Sequence, residues 1–285
     1  MGTLTGMRVL ALPDGTLADP DQPFVRADDL GLLRGDGVFE TVLVVDGKPR
    51  EWAGHLDRLV RSAAMLDLEP PDLAGVERAG RAVIDHWTGG ELALRLVCTR
   101  GAEGGDGTPT VFALGSEVGA KARRQRVDGV SAIALDRGFD ADLAERAPWL
   151  LLGAKSLSYA VNMAALREAE RRGADDVVFT TPSGEVLEGP TSTLVLVRGR
   201  TLRTPPSALG ILPGTTQAAL FEVAAGAGWT TEVGRVDVAD LYDADAVLLA
   251  SSVRLIARVH TLDGKSLPDS SEVHAELAAC YESRY

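Results

Sequence analysis

Lysine is scarce in this chain, four residues of 285 against 25 arginines, and cysteine is scarcer still, with only Cys98 and Cys280. Two cysteines so far apart build neither a disulfide framework nor a thiolate metal centre, and they suit a reducing, cytoplasmic setting. Basic charge is also in deficit. Against 41 acidic side chains stand 29 basic ones, a formal net charge of −12. Such a surface repels nucleic-acid phosphates and anionic lipid, so neither nucleic acid nor membrane is an expected partner. No uninterrupted apolar run reaches the roughly 20 residues that cross a bilayer. The N-terminus has no basic stretch followed by an apolar core, so no secretory signal is expected. His, Cys and carboxylates do not gather at metal-ligand spacing, so no metal is expected, and no Gly-x-Ser-x-Gly or Walker sequence occurs. What is present is ordinary: 45% hydrophobic and 25% charged residues, in a chain long enough for one large or two medium domains.

Patterning divides the chain. Residues 7–12 and 38–45 read as strands, the second closed by an Asp46-Gly47 turn. Leu56, Leu59, Val60, Ala63, Ala64 and Leu66 fall at helical spacing, and a second helix is expected over 73–87, stopped by Gly89-Gly90. Strands at 92–99 and 110–114 flank a glycine-rich loop, 101–109. The polar stretch 118–127 is the expected inter-domain connection, between a domain over 1–117 and one over 128–285. In the second domain, strands are expected at 130–135, 176–180, 193–197, 230–236 and 246–250. Helices are expected up to about 172, after Gly214, and over 272–281. The apolar run 149–152 reads as a buried strand.

Of the four lysines, Lys48 and Lys265 sit in Asp-Gly-Lys turns and Lys121 in a polar stretch. Lys155 alone stands where an apolar run meets an apolar-periodic helix. An ammonium forced out of water loses its proton more readily and becomes a base or nucleophile. The structural alternative is a buried stem with its head at the surface. Leu212-Pro213-Gly214-Thr215-Thr216 leads into another helix. A helix start with two hydroxyls suits an anion, although a threonine there also serves as a plain cap. Ser251 and Ser252 end the run 246–250, either as a second hydroxyl site or as a turn. Glu188 stands in a Glu-Gly-Pro turn. Arg58, three residues after His55 on one helical face, is able to grip a phosphate with two hydrogen bonds. Arg95, beside small apolar neighbours on its strand face, and Arg100, beside the glycine-rich loop, are further cations of interest. A reactive lysine, a helix-end anion site, paired hydroxyls, a carboxylate and an arginine are together the parts that hold pyridoxal phosphate.

With these motifs the sequence resembles the class IV aminotransferases, the fold-type IV pyridoxal-phosphate enzymes. The resemblance runs from Arg34-Gly35-Asp36-Gly37-Val38-Phe39-Glu40-Thr41 through His55-Leu56-Asp57-Arg58-Leu59, Lys155, Glu188-Gly189 and the Leu212 motif to Ala250-Ser251-Ser252, nearly the whole chain in order. It implies an α+β fold of two domains, a smaller N-terminal α/β sandwich-like domain and a larger C-terminal one with a barrel-like sheet. It implies a cofactor between the domains and a homodimer in which the partner chain completes each active site. Lys155 would be the Schiff-base lysine and proton carrier, and Glu188 the partner of the pyridine nitrogen. Leu212 would pack on the ring, and Arg58, Thr215, Thr216 and Ser251 would hold the phosphate. Arg95, Arg100, Ser252 and Arg254 would meet the substrate. Two positions depart from the pattern. Ser192-Thr193 replaces the frequent Ser-Asn, and Ser158 stands where many lyases and D-amino-acid aminotransferases have Asn. Tyr159 is one residue short of the tyrosine that touches the cofactor in branched-chain aminotransferases.

Within the family, residues 34–41 and Thr99-Arg100-Gly101 resemble the lyase and D-amino-acid group more than the branched-chain group. The expected activity is 4-amino-4-deoxychorismate lyase, which releases pyruvate and leaves 4-aminobenzoate for folate synthesis. The alternative is a D-amino-acid (D-alanine type) aminotransferase, or both activities in one protein. A branched-chain-type aminotransferase and a non-enzymatic binding module complete the range.

Overall fold

The computed structural model describes residues 7–285. Residues 1–6, with which the expected first domain begins, lie outside the described residues. The chain divides into two compact units. One runs to Gly119 and also takes in Ala154–Tyr159; the other comprises Ala120–Gly153 and Ala160–Tyr285. This division differs from the one expected at 117 and 128, because the short piece carrying Lys155 packs with the first unit.

The first unit is an antiparallel sheet with two helices on one face. Its elements are β1 (Arg8–Ala11), β2 (Leu17–Ala18), α1 (Leu30–Arg34), β3 (Gly37–Val45), β4 (Lys48–Pro49), α2 (Trp52–Met65), α3 (Leu73–His86), β5 (Leu92–Thr99) and β6 (Val111–Glu117). The strands lie in the order β2-β1-β6-β5-β3-β4. Side chains alternate across a strand, so Val38, Val42 and Val44 of β3 are buried while Phe39 and Thr41 remain part-exposed. Leu56, Leu59 and Ala63 of α2 and Val76, Ala79 and Val83 of α3 complete this core. Each large apolar side chain so buried contributes about 1.5–3 kcal/mol. Helix α1 was not anticipated. Its signals are Asp29, whose carboxylate accepts the Gly31 N–H at 2.8 Å, and Gly35, which ends the helix at φ +70°.

The second unit comprises α4 (Ala120–Asp128), β7 (Val130–Asp136), α5 (Leu143–Arg146), α6 (Ala160–Arg171), β8 (Asp176–Thr180), β9 (Thr193–Arg198), β10 (Thr201–Thr204), α7 (Thr215–Gly226), β11 (Thr230–Val233), α8 (Val238–Tyr242), β12 (Ala246–Ser251), β13 (Leu255–Leu262), β14 (Lys265–Ser266) and α9 (Ser271–Glu282). Its mixed sheet has the order β11-β10-β9-β12-β13-β7-β8, with β14 on β13. Residues 185–187 curl it back on itself: Val186 bridges Thr180 on one side and donates its N–H to the Val236 carbonyl on the other. Alternation then sorts the strands. Leu194, Leu196, Val247, Leu249 and Val178 fill the inside of the curl. Val195, Val197, Ala246 and Leu248 face a second core with Leu220 of α7 and Leu277 and Tyr281 of α9. This is the α+β class and the barrel-like sheet that the sequence led us to expect.

Three local expectations fail for physical reasons. The run 149–152 is not a buried strand: Pro148–Leu150 is a short 3₁₀ turn, Trp149 is 73% exposed, and Leu151 and Gly153 have φ of +54° and +83°. Pro148 opens the 3₁₀ turn, and the left-handed backbone at Leu151 and Gly153 is incompatible with an extended strand. Most of 118–127 is helix α4, built of Ala, Lys, Arg and Gln with no Gly or Pro to interrupt it. Strands β10 and β13 were missed, the first because it runs straight into Pro205-Pro206, the second because Arg258 and His260 break its apolar run.

Candidate active site

In the first unit, the Lys155 segment runs alongside the start of β3. The Phe39 N–H donates to the Lys155 carbonyl at 3.1 Å, the Leu157 N–H donates to the Gly37 carbonyl at 2.8 Å, and Ser156 bridges Val38. Gly37 permits this approach, since a Cβ there would lie 2.8 Å from both the Cys98 carbonyl and Leu157. The Lys155 N–H donates to Ser62 Oγ at 3.1 Å. Its side chain is half-buried, with Nζ 4.5 Å from the Phe39 ring centre and 5.6 Å from that of Tyr159. The two rings meet edge to face at 5.2 Å. Lys155 is thus less enclosed than its sequence neighbours suggested, and Trp149 and Leu150 are themselves exposed.

Beneath the same strand lies a buried ionic cluster. Glu40 is fully buried, and so are His55 and Arg58 of α2. Arg58 grips the Glu40 carboxylate with two hydrogen bonds, Nε to Oε1 at 2.7 Å and Nη2 to Oε2 at 2.8 Å. His55 Nδ1 is 2.7 Å from Oε2. Burial alone would raise the Glu40 pKa, but the Arg58 hydrogen bonds and charge, aided by His55, outweigh it and hold the carboxyl at about 2. Burial lowers the His55 pKa, and the positive charges of Arg58 and Lys155 push the same way against the pull of Glu40. His55 is therefore a neutral ring that donates Nδ1–H to Glu40.

In the second unit, Glu188 is half-buried and its Oε2 accepts the Leu212 N–H at 3.1 Å. Helix α7 starts after Gly214, where a Cβ would lie 2.2 Å from Thr193 Oγ1. Thr193, the departure noted in the sequence, occupies that space. Thr216 is 2% exposed, and among the described residues its hydroxyl has no hydrogen-bond partner. The Ser192 hydroxyl, in the turn after Glu188, is in the same condition. Ser251 ends β12, and the turn after it is held by Arg126, whose Nη2 donates to the Val253 carbonyl at 2.6 Å. Arg254 is buried beside Asp176, Nη1 to Oδ2 at 2.5 Å, while its Nε and Nη2 are enclosed without a partner among the described residues.

The expected residues fall into these two sets: Lys155 and Arg58 in the first unit; Glu188, Leu212, Thr215, Thr216, Ser251, Ser252 and Arg254 in the second. The other two arginines named in the sequence, Arg95 and Arg100, also lie in the first unit. Arg95 is exposed, with Nη1 3.4 Å from Ser116 Oγ. Arg100 binds both oxygens of Asp36, at 2.6 and 3.1 Å, and the Leu66 and Asp67 carbonyls at the end of α2, at 2.7 and 3.1 Å. A cation is drawn to the carbonyl end of a helix, and this one ties the helix to the loop before β3. Sequence reasoning quoted Glu40 but gave it no role. A carboxylate on the buried side of β3, between Val38 and Val42, was the available signal. Among the described residues no group of three or more His, Cys, Asp or Glu is placed to hold a metal ion, and no helix is long and apolar enough to cross a membrane.

The profile of amino-transferase class IV matches residues 37–262, and the chain belongs to that family, whose members work with pyridoxal phosphate. Among its relatives, the bifunctional aminodeoxychorismate lyase / D-amino acid transaminase of Mycobacterium tuberculosis is 49% identical over 276 residues, covering 93% of this chain and 95% of that protein. A solved structure of a hypothetical aminotransferase from Mycobacterium tuberculosis in its PLP-bound form superposes with a TM-score of 0.93 at 48% identity, covering 98% and 100% of the two chains. The 4-amino-4-deoxychorismate lyase of Pseudomonas aeruginosa superposes with a TM-score of 0.78 at 26% identity, covering 97% and 98%. The residues present fit the cofactor. Thr216 offers a buried hydroxyl lacking a partner at the start of a twelve-residue helix, which is what a phosphate requires. Glu188 offers a carboxylate fixed by a backbone N–H, and Lys155 an amine between two aromatic rings.

Proposed function

We propose that this chain eliminates pyruvate from 4-amino-4-deoxychorismate to give 4-aminobenzoate, and that the same site transfers the amino group of D-amino acids. The observation that carries the reading is the 49% identity, over nearly the full length of both chains, to a protein named for both activities. Bound pyridoxal phosphate supplies a carbonyl for the substrate's amino group and a sink for electrons released at the neighbouring carbon. In this reading Arg58, Thr215, Thr216 and Ser251 hold the phosphate. Glu188 would face the ring nitrogen, Leu212 would pack on the ring, and Lys155 would carry the cofactor. Lys155 Nζ, freed when the substrate's amino group takes its place, would then take the proton from the carbon that bears the amino group. In the lyase reaction the bond from the adjacent ring carbon to the enolpyruvyl oxygen would break, the leaving enolpyruvate would take up a proton to become pyruvate, and formation of the aromatic ring would drive the step. In the transaminase reaction Lys155 Nζ would give that proton back, and a 2-oxo acid would later accept the amino group. Ser252 and Arg254 are retained as substrate contacts. Arg95, exposed, is the candidate for a second carboxylate; the bonds Arg100 makes to Asp36, Leu66 and Asp67 suit it better to bracing.

We further propose a cytoplasmic homodimer, supported by the two unpaired cysteines and by exposed apolar side chains at Leu32, Leu33, Trp149, Val161 and Met163. The mass of the loaded protein in solution tests the dimer. The activities are tested by giving purified protein 4-amino-4-deoxychorismate and following 4-aminobenzoate, beside D-alanine with 2-oxoglutarate and following pyruvate. Absence of 4-aminobenzoate would overturn the lyase reading, and absence of pyruvate from D-alanine the transaminase reading.

A further inference from the structure

Glu40 occupies a position with two connections. It follows Phe39 in β3, and successive strand residues point to opposite faces. Phe39 meets Lys155 through its N–H and its ring, while the next side chain holds Arg58 and His55. Helix α2 repeats the link. His55, Arg58 and Ser62 lie three and four residues apart on one stripe, so the helix that carries Arg58 also receives the Lys155 N–H. The two residues proposed above to carry the cofactor and to grip its phosphate are therefore registered by the same two elements. Arg58 has a long side chain with many rotamers available to it in the unfolded chain. Two charge-assisted bonds to a carboxylate that is itself immobile remove that freedom.

We infer that Glu40 is a positioning residue for phosphate binding, fixing the Arg58 guanidinium in register with Lys155, and that His55 holds the Glu40 carboxylate in place. The inference rests on Arg58 being a phosphate ligand. A glutamine at position 40 offers Arg58 one acceptor but turns an N–H₂ toward Nη2 or His55, so the grip is lost while the volume is kept.

The test uses full-length protein stripped of cofactor by dialysis and reloaded with either pyridoxal phosphate or pyridoxal, which lacks the phosphate. Wild type, Glu40→Gln, Glu40→Asp and Arg58→Ala are titrated, and thermal unfolding of the stripped proteins establishes that each is folded. Glu40→Gln is expected to weaken pyridoxal phosphate by about ten- to a hundredfold, the range for partners that orient a ligand-binding group. Pyridoxal affinity should stay within about twofold, and the double variant Glu40→Gln/Arg58→Ala should lose little more than Arg58→Ala alone. Glu40→Asp keeps the charge but shortens the reach, and should show a smaller loss confined to the phosphorylated ligand; it serves if the glutamine variant does not fold. Equal losses for both ligands would overturn the inference, since a merely structural residue gives that result. No loss in Glu40→Gln beside a clear loss in Arg58→Ala would overturn it while leaving the role of Arg58 intact. No loss in Arg58→Ala would overturn both.

Discussion

In the first unit the group proposed for the phosphate is a cation, Arg58, buried against the Glu40 carboxylate with His55 beside it. In the second unit the groups are neutral: the start of α7 and the Thr216 hydroxyl, which among the described residues has no hydrogen-bond partner. A buried charge left alone is far costlier than a buried hydroxyl left alone, so only the first had to be satisfied within the protein. The Thr216 hydroxyl can wait for its ligand at a cost of about 1–3 kcal/mol. From this contrast, the second unit should gain stability from the cofactor, and the first should carry the pH sensitivity.

The comparison can be broken in four places. Lys155→Ala removes the proton carrier, and both activities should fall by at least about 10³-fold in a direct assay of each product. Glu188→Ala should lower turnover by about 10²–10³-fold, the range for losing one fixed electrostatic group, with a smaller change in cofactor affinity measured by titration. Thr216→Val keeps the volume but deletes the hydroxyl. Cofactor affinity should fall by about 1–3 kcal/mol, while the stripped protein should unfold at the same temperature as wild type or higher. That opposite movement would not occur if Thr216 were a structural cap.

The smallest effect is one of pH. The His55 pKa is depressed below 6.5 in the folded chain, so as pH falls below 6.5 the unfolded chain takes up the proton first and folding stability is lost. Glu40 adds a second loss between about 4.5 and about 2, where its carboxyl is protonated in the unfolded chain before the folded one. Each group changes stability by at most about 1.4 kcal/mol per pH unit crossed. Denaturant titrations between pH 7.5 and 5 should show wild type weakening with acid and His55→Gln weakening less. An unchanged slope in that variant would remove His55 from the account.

Much of this arrangement was legible beforehand. Lys155 was singled out by the rarity of lysine and by its neighbours, and Thr216 by the glycine that precedes a helix. Alternation located β5, and apolar runs located β3, β8 and β9, the last two covered on both faces. The setting of Lys155 was misread: Trp149 and Leu150 are apolar yet exposed, and the pairing of this segment with β3 is non-local, about 115 residues away in sequence. Glu40 was passed over for a related reason. A carboxylate in a strand reads as solvated until its partners His55 and Arg58, 15 and 18 residues on, are brought over it by the packing of α2.

The central claim is that Lys155 carries the cofactor, and the rarity of lysine makes it unusually easy to test. Loaded protein is reduced with borohydride, digested, and searched by mass spectrometry for the phosphopyridoxyl adduct. The account predicts the adduct on the peptide containing Lys155, and none on those containing Lys48, Lys121 or Lys265. An adduct on any of those three, with Lys155 unmodified, would contradict it.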